Sequence, residues 1–250
     1  MTLRLFDVQT GFGGAKRGET LVVTREECLG SLARLDIAAG LVRTLPDAME
    51  TDAVVPNALL FAACVGHPEL VPCPIALPAA AGEVAPEPDQ IDAFIRQGAG
   101  AALIRPVRDD WTFAFWVCDP LLVAMQERRL PLFCAAGYVT FEQTAQIAER
   151  YPKLPIILAE VGYRSQRTIV PLLQTFRNVH LSIGNNWTIH RGIEDLVDKV
   201  GPEQLLFGTG FPVSEPMMAI TQLVYAEIPD EHKQAVGAGN VERLLAGVIR

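Results

Sequence analysis

No two of the five cysteines (Cys28, Cys64, Cys73, Cys118, Cys134) are spaced as a CxxC pair, and their number is odd. This argues against a disulfide framework or a structural zinc site and reads as free thiols in a reducing compartment. Positive charge is also scarce. Lysine and arginine total 21 against 29 acidic residues, the net charge is −8, and no basic run exceeds two residues. Nucleic acid and anionic membranes both require clustered positive charge, so neither is an expected partner. No apolar stretch is long enough to span a bilayer, and the opening MTLRLFDVQT has no long apolar segment or small-residue cleavage site. The expected location is cytoplasmic. Histidine, the commonest metal ligand, occurs at only four scattered positions: His67, His180, His190 and His232.

Apolar residues are plentiful. Half the chain is hydrophobic and a fifth is charged, the balance of a globular protein with a substantial core. A length of 250 residues suits a single domain, 1–250, and no linker or composition break divides it. Strand-like runs recur at 3–8, 37–42, 70–77, 100–105, 131–135, 155–160, 179–184 and 204–210. Several are continuously apolar, as parallel strands buried on both faces are. Helix punctuation lies between them. Asp119-Pro120 reads as an N-cap with proline in the first turn, Thr140 and Gln143 as a capping box, and Asn240 as a cap before Val241, Leu244, Leu245 and Val248. Gly11 to Gly14 reads as a turn, and 77–89 as a Pro/Ala-rich surface loop. Eight strands separated by helices predict an α/β fold, a (β/α)8 TIM barrel. The competing open doubly wound sheet lacks its GxGxxG or Walker loop.

A barrel of this kind carries its reactive groups at the C-terminal strand ends. Those positions hold Gln9 and Gly11, Arg105, Ala135, Glu160, Asn185 with Asn186, and Thr209 with Gly210. Five segments carry a resemblance. Leu5 to Gly13 (LFDVQTGFG) is similar to a D-x-H-x-H strand, and Pro131 to Gly137 (PLFCAAG) to P-V-L-I-H-x-G. Ile156 to Gly162 (IILAEVG) is similar to I-V-L-A-H-x-G, Leu206 to Pro212 (LFGTGFP) to L-F-G-S-D-[YF]-P, and Gly239 to Leu244 (GNVERL) to G-N-A-x-R-L. In that order they resemble the amidohydrolase-related branch of the metal-dependent hydrolases over nearly the whole length. The resemblance implies an amidohydrolase-like barrel whose metal ligands would be two histidines on the first strand, one each on the fifth and sixth, and an aspartate on the eighth. Here those positions are Gln9, Gly11, Ala135, Glu160 and Gly210. A divalent ion needs three or four imidazole, carboxylate or thiolate donors, so the expectation is no metal and no cofactor.

The remaining polar groups suggest two readings. Arg105 and Glu160 could meet in the barrel mouth, either as a buried ion pair plugging the vacated site or as an anion anchor and an acid/base. Trp111, Phe113, Phe115 and Trp116 in 107–117 fit a lid over an apolar or aromatic ligand, and equally a subunit interface in a homo-oligomer. Gln9, Arg164, Asn185, Trp187 and His190 are the further candidate binding residues. Strand alternation points Cys134 away from the barrel interior. The function expected is a metal-free, pseudoenzyme-like barrel that binds, or transforms without metal, a small carboxylate or aromatic acid. The alternative is a non-catalytic structural or regulatory partner with a plugged site. An ordinary metal hydrolase with an unusual ligand set is the third reading.

Overall fold

The computed structural model describes residues 3–17, 19–45, 53–184 and 186–250. In chain order the elements are β1 (Leu5–Arg17), β2 (Glu19–Val23), α1 (Arg25–Arg34), β3 (Ile37–Leu45), α2 (Val54–Cys64), β4 (Leu70–Pro72), α3 (Glu87–Arg96), β5 (Ala102–Leu103) and α4 (Phe115–Arg128). They continue with β6 (Leu132–Ala135), α5 (Phe141–Arg150), β7 (Ile156–Ala159), α6 (Gln166–Thr175), β8 (Val179–Ile183), α7 (Gly192–Val200), β9 (Leu205–Phe207), α8 (Pro216–Tyr225), α9 (Asp230–Gln234) and α10 (Asn240–Ala246).

β1 and β3 to β9 form the expected TIM barrel. β1, β3 and β4 run parallel, as do β5 to β9. The Ile75–Leu103 bridge joins the two runs on one side. On the other side Gly210 N donates to Gln9 O at 2.8 Å. All eight strands read from the sequence are present. β2 adds an antiparallel arm on the far half of β1, pairing Gly13 with Val23, so Gly11 to Gly14 lie within a strand rather than a turn. The glycines are needed there for another reason: a Cβ on Gly11 would stand 2.5 Å from the Arg43 carbonyl oxygen of the neighbouring strand.

Alternation along the strands divides the core in two. Phe6, Val8, Leu41, Cys73, Leu103, Phe133, Ile157 and Leu206 fill the barrel, closed at its N-terminal end by Ala238 and Val241. Leu132, Cys134, Ile156, Leu158, Leu181 and Ile183 face outward to the helices, so Cys134 points where alternation places it.

Helix starts follow their caps only in part. Thr140 and Gln143 exchange hydrogen bonds as a capping box before α5. Asp119-Pro120 does not start a helix: α4 begins at Phe115, with Pro120 inside it. Phe115 packs edge-on against Tyr151, and the helix buries Cys118, Leu121, Leu122 and Met125, so burial outweighs one missing backbone bond. Asp119 pairs with Arg150 and Tyr151. Asn240 is no cap either. Fully buried, it donates to the carbonyls of Pro202 (2.7 Å) and Leu205 (2.8 Å) and so fixes the start of β9.

His180 is the first inward residue of β8, and its Nδ1 has no hydrogen-bond partner among the described residues. Burial lowers its pKa from 6.5 to about 4. Since the unfolded chain takes up this proton first, stability is full above pH 6.5 and falls as pH drops toward about 4. Urea unfolding at about pH 7 and about pH 5 should show a loss in the wild type that is smaller in His180→Gln, by at most about 1.4 kcal/mol per pH unit. Equal losses would contradict this account.

Candidate functional site

The mouth is the C-terminal end of the barrel, and its floor is a knot around Asp7. This carboxylate is buried and accepts the Thr209 and Gln9 backbone N–H groups, each at 2.8 Å, and the Thr209 hydroxyl at 2.5 Å. Burial raises its pKa above the ordinary carboxylate value, opposed by those bonds and by the Arg43 charge. The knot ties β1 to the segment after β9. Gln9 is also buried, and its Oε1 accepts from the Ser182 hydroxyl at 3.2 Å.

Above the knot lies Arg43, which the sequence reading passed over. It follows Leu41 on the inward face of β3, its side chain is only 11% exposed, and its guanidinium stacks 4.5 Å over the Phe133 ring. Its charge is felt at Asp7 and at Cys73. Cys73 is pushed up to about 12 by burial despite that charge, so its thiol stays protonated. The partner of Arg43 is Glu160, at 3.8 Å. Glu160 directly follows Ala159, the last residue of β7, and has φ 61, a left-handed conformation that departs from strand alternation.

 Ala159 itself packs inside the barrel.

The expected Arg105–Glu160 pair is therefore not the pairing observed. Arg105 is 1% exposed and holds Asp109 with two bonds, Nε to Oδ2 at 3.1 Å and Nη2 to Oδ1 at 2.6 Å. The cause is local. The Arg105 carbonyl accepts the backbone N–H groups of Arg108 and Asp109, and this tight turn delivers the Asp109 carboxylate to Arg105 before any group across the barrel can compete. Glu160 meets Arg43 instead and stays 43% exposed.

The other candidates are dispersed. Trp187 is 1% exposed and packs within the outer core, with its indole N–H directed to the Gly192 carbonyl, so it is a packing residue and offers no surface to the mouth. His190 is exposed and lines an 810 Å³ groove on the outer flank with Gln166, Asp195, Glu227 and His232. Arg164 is exposed in the turn before α6. Asn185 lies outside the described residues. Trp111 is half-buried against both core clusters and begins a run of ring contacts through Phe113 and Phe115 to Tyr151. Trp116 is 84% exposed. Alternation could have revealed Arg43, since it shares the inward face of Leu41. Nothing in the sequence marks the Asp7 knot.

Residues 38–246 match the amidohydrolase family, and the chain belongs to that family. The match begins after β1. Solved structures agree in fold. The 5-carboxyvanillate decarboxylase of Sphingomonas paucimobilis is 13% identical with a TM-score of 0.76, covering 98% of this chain and 99% of the other. A 2,6-dihydroxybenzoate decarboxylase from Rhizobium is 14% identical with a TM-score of 0.72 and the same coverage. A dihydroxybenzoic acid decarboxylase from Polaromonas sp. JS666, with bound manganese and the inhibitor 2-nitroresorcinol, is 15% identical with a TM-score of 0.71, covering 98% and 97%. A comparison with curated proteins gives no match. No helix among the described residues is long and apolar enough to cross a membrane.

The knot gives a direct test. Thr209→Val keeps the shape but removes the hydroxyl that Asp7 accepts, and should cost about 2 kcal/mol in urea unfolding. An unchanged stability would contradict the role given to this bond.

Proposed function

We propose that this amidohydrolase barrel works without a divalent cation and uses its mouth to bind a small organic acid. The observation that carries the reading is the chemistry of the five positions where the resemblance places metal ligands. Gln9 is a weak donor whose carbonyl is already engaged by Ser182. Ala135 offers only a methyl, and Gly210 no side chain. Gly11 has none either, and a Cβ there would strike the Arg43 carbonyl. Glu160 is a good donor, but its carboxylate faces a guanidinium. Among the described residues no group of three or more His, Cys, Asp and Glu side chains could hold a metal ion. These residues do not fit the ion, and an arginine pointing into the mouth favours an anion instead.

The organic-acid class rests on that positive charge and on structural neighbours that include decarboxylases of aromatic acids. Trp111 supplies apolar surface beside it. Glu160, beside Arg43, is the acid/base candidate of this reading. A homo-oligomer through the exposed Trp116 and its neighbours is a separate proposal, as is a single domain over 1–250. The second reading, a plugged barrel acting as a partner protein, is favoured by the packing of Arg43 on Phe133 and of Arg105 on Asp109.

Elemental analysis of the purified protein tests the metal-free reading: the expected result is no stoichiometric zinc, manganese or iron, with aromatic-acid binding unchanged by EDTA. Stoichiometric metal, or binding that EDTA abolishes, would overturn it. A mouth that binds no small acid would favour the plugged barrel.

A further inference from the structure

We infer that Arg43 is the anion anchor of the mouth and that Glu160 is its displaceable resident counter-ion, vacating the guanidinium when a carboxylate ligand enters. This rests on the metal-free, acid-binding reading above and assigns the ligand's charged end to one residue.

The two arginines of the mouth differ in what they have left to give. Arg105 is committed to Asp109 through two hydrogen bonds inside a tight turn. Arg43 makes no such bonds among the described residues. Its Nη1 stands 3.8 Å from the Glu160 oxygen, beyond hydrogen-bond reach, and its Nε is buried with no acceptor among the described residues. The pair balances charge but leaves the directional capacity of the guanidinium unused. A buried donor without an acceptor is costly, by about 1–3 kcal/mol, and calls for a missing partner. Two further N–H groups stand in the same condition, Arg105 Nη1 and Trp111 Nε1. All three belong to residues of the mouth strands or the loop that follows Arg105, and all three need an acceptor. A carboxylate answers that need, because its two oxygens can take the guanidinium fork while Phe133 supports the opposite face.

Glu160 is built to leave. It is half-exposed, so its carboxylate regains water on moving away, and its left-handed backbone is a strained state for a non-glycine residue. The incoming carboxylate replaces one anion beside Arg43 with another, so the charge of the mouth is conserved during the exchange.

The test is calorimetric titration of the full-length protein in EDTA with benzoate and its neutral isostere benzamide, using wild type, Arg43→Gln and Glu160→Gln. Benzoate should bind saturably and benzamide at least about tenfold more weakly, the scale of a lost charge-assisted hydrogen bond. Arg43→Gln should weaken benzoate by about tenfold or more. Glu160→Gln should tighten it several-fold, because the competing anion is gone. That opposite sign is not expected of residues with a merely structural role. Equal benzoate affinity in wild type and Arg43→Gln, or weaker binding by Glu160→Gln, overturns the assignment while leaving the acid-binding reading in place. No saturable benzoate binding by either wild type or Glu160→Gln overturns both. Thermal unfolding checks each variant. Glu160 is half-exposed and its substitution leaves the core intact, so its sign decides the matter even if Arg43→Gln fails to fold.

Discussion

A guanidinium held inside a barrel must be neutralised, and the way this chain neutralises Arg43 shapes its whole mouth. Stacking on Phe133 covers one face, the loose ion pair with Glu160 balances the charge, and the buried Asp7 feels it from the floor. In the family resemblance this space belongs to a cation gripped by histidines. Here those positions hold Gln9, Gly11, Ala135, Glu160 and Gly210, and our proposal gives the positive charge of the neighbourhood to Arg43 instead.

The barrel makes that arrangement possible. Strand alternation sends Leu41 and Arg43 to the same face, the first into the packed interior and the second into the mouth above it. The Asp7 knot closes the ring where β1 meets the segment after β9, so the floor beneath Arg43 is fixed by hydrogen bonds to one carboxylate. Asn240 and the residues around it close the opposite end.

Much of the fold was legible in the sequence, because apolar runs and caps report burial and local bonding directly. All eight barrel strands could be read, and so could the Thr140 capping box. The antiparallel arm Glu19–Val23 was missed, since a five-residue strand behind glycines looks like a turn. The start of α4 was misread because aromatic packing by Phe115 overrode a cap-like Asp-Pro pair. The site was less legible. Glu160 was recognised at the mouth, but pairing is set by turns and backbone angles: a local turn gave Arg105 to Asp109, and a left-handed residue gave Glu160 to Arg43. Ending the second strand at residue 42 left out Arg43 by one position. Trp187 had the look of a ligand contact beside Asn185 and Asn186, yet its bulk was needed against Gly192 in the outer core.

The central claim is that the chain's own guanidinium, and not a divalent ion, provides the positive charge of the mouth. The most direct measurement is a crystal structure grown with both manganese and benzoate, with anomalous scattering recorded to locate the metal. The account predicts no anomalous peak in the mouth, the benzoate carboxylate on Arg43 and Glu160 turned toward solvent. A manganese peak coordinated by Gln9 and Glu160, with Arg43 displaced, would contradict it.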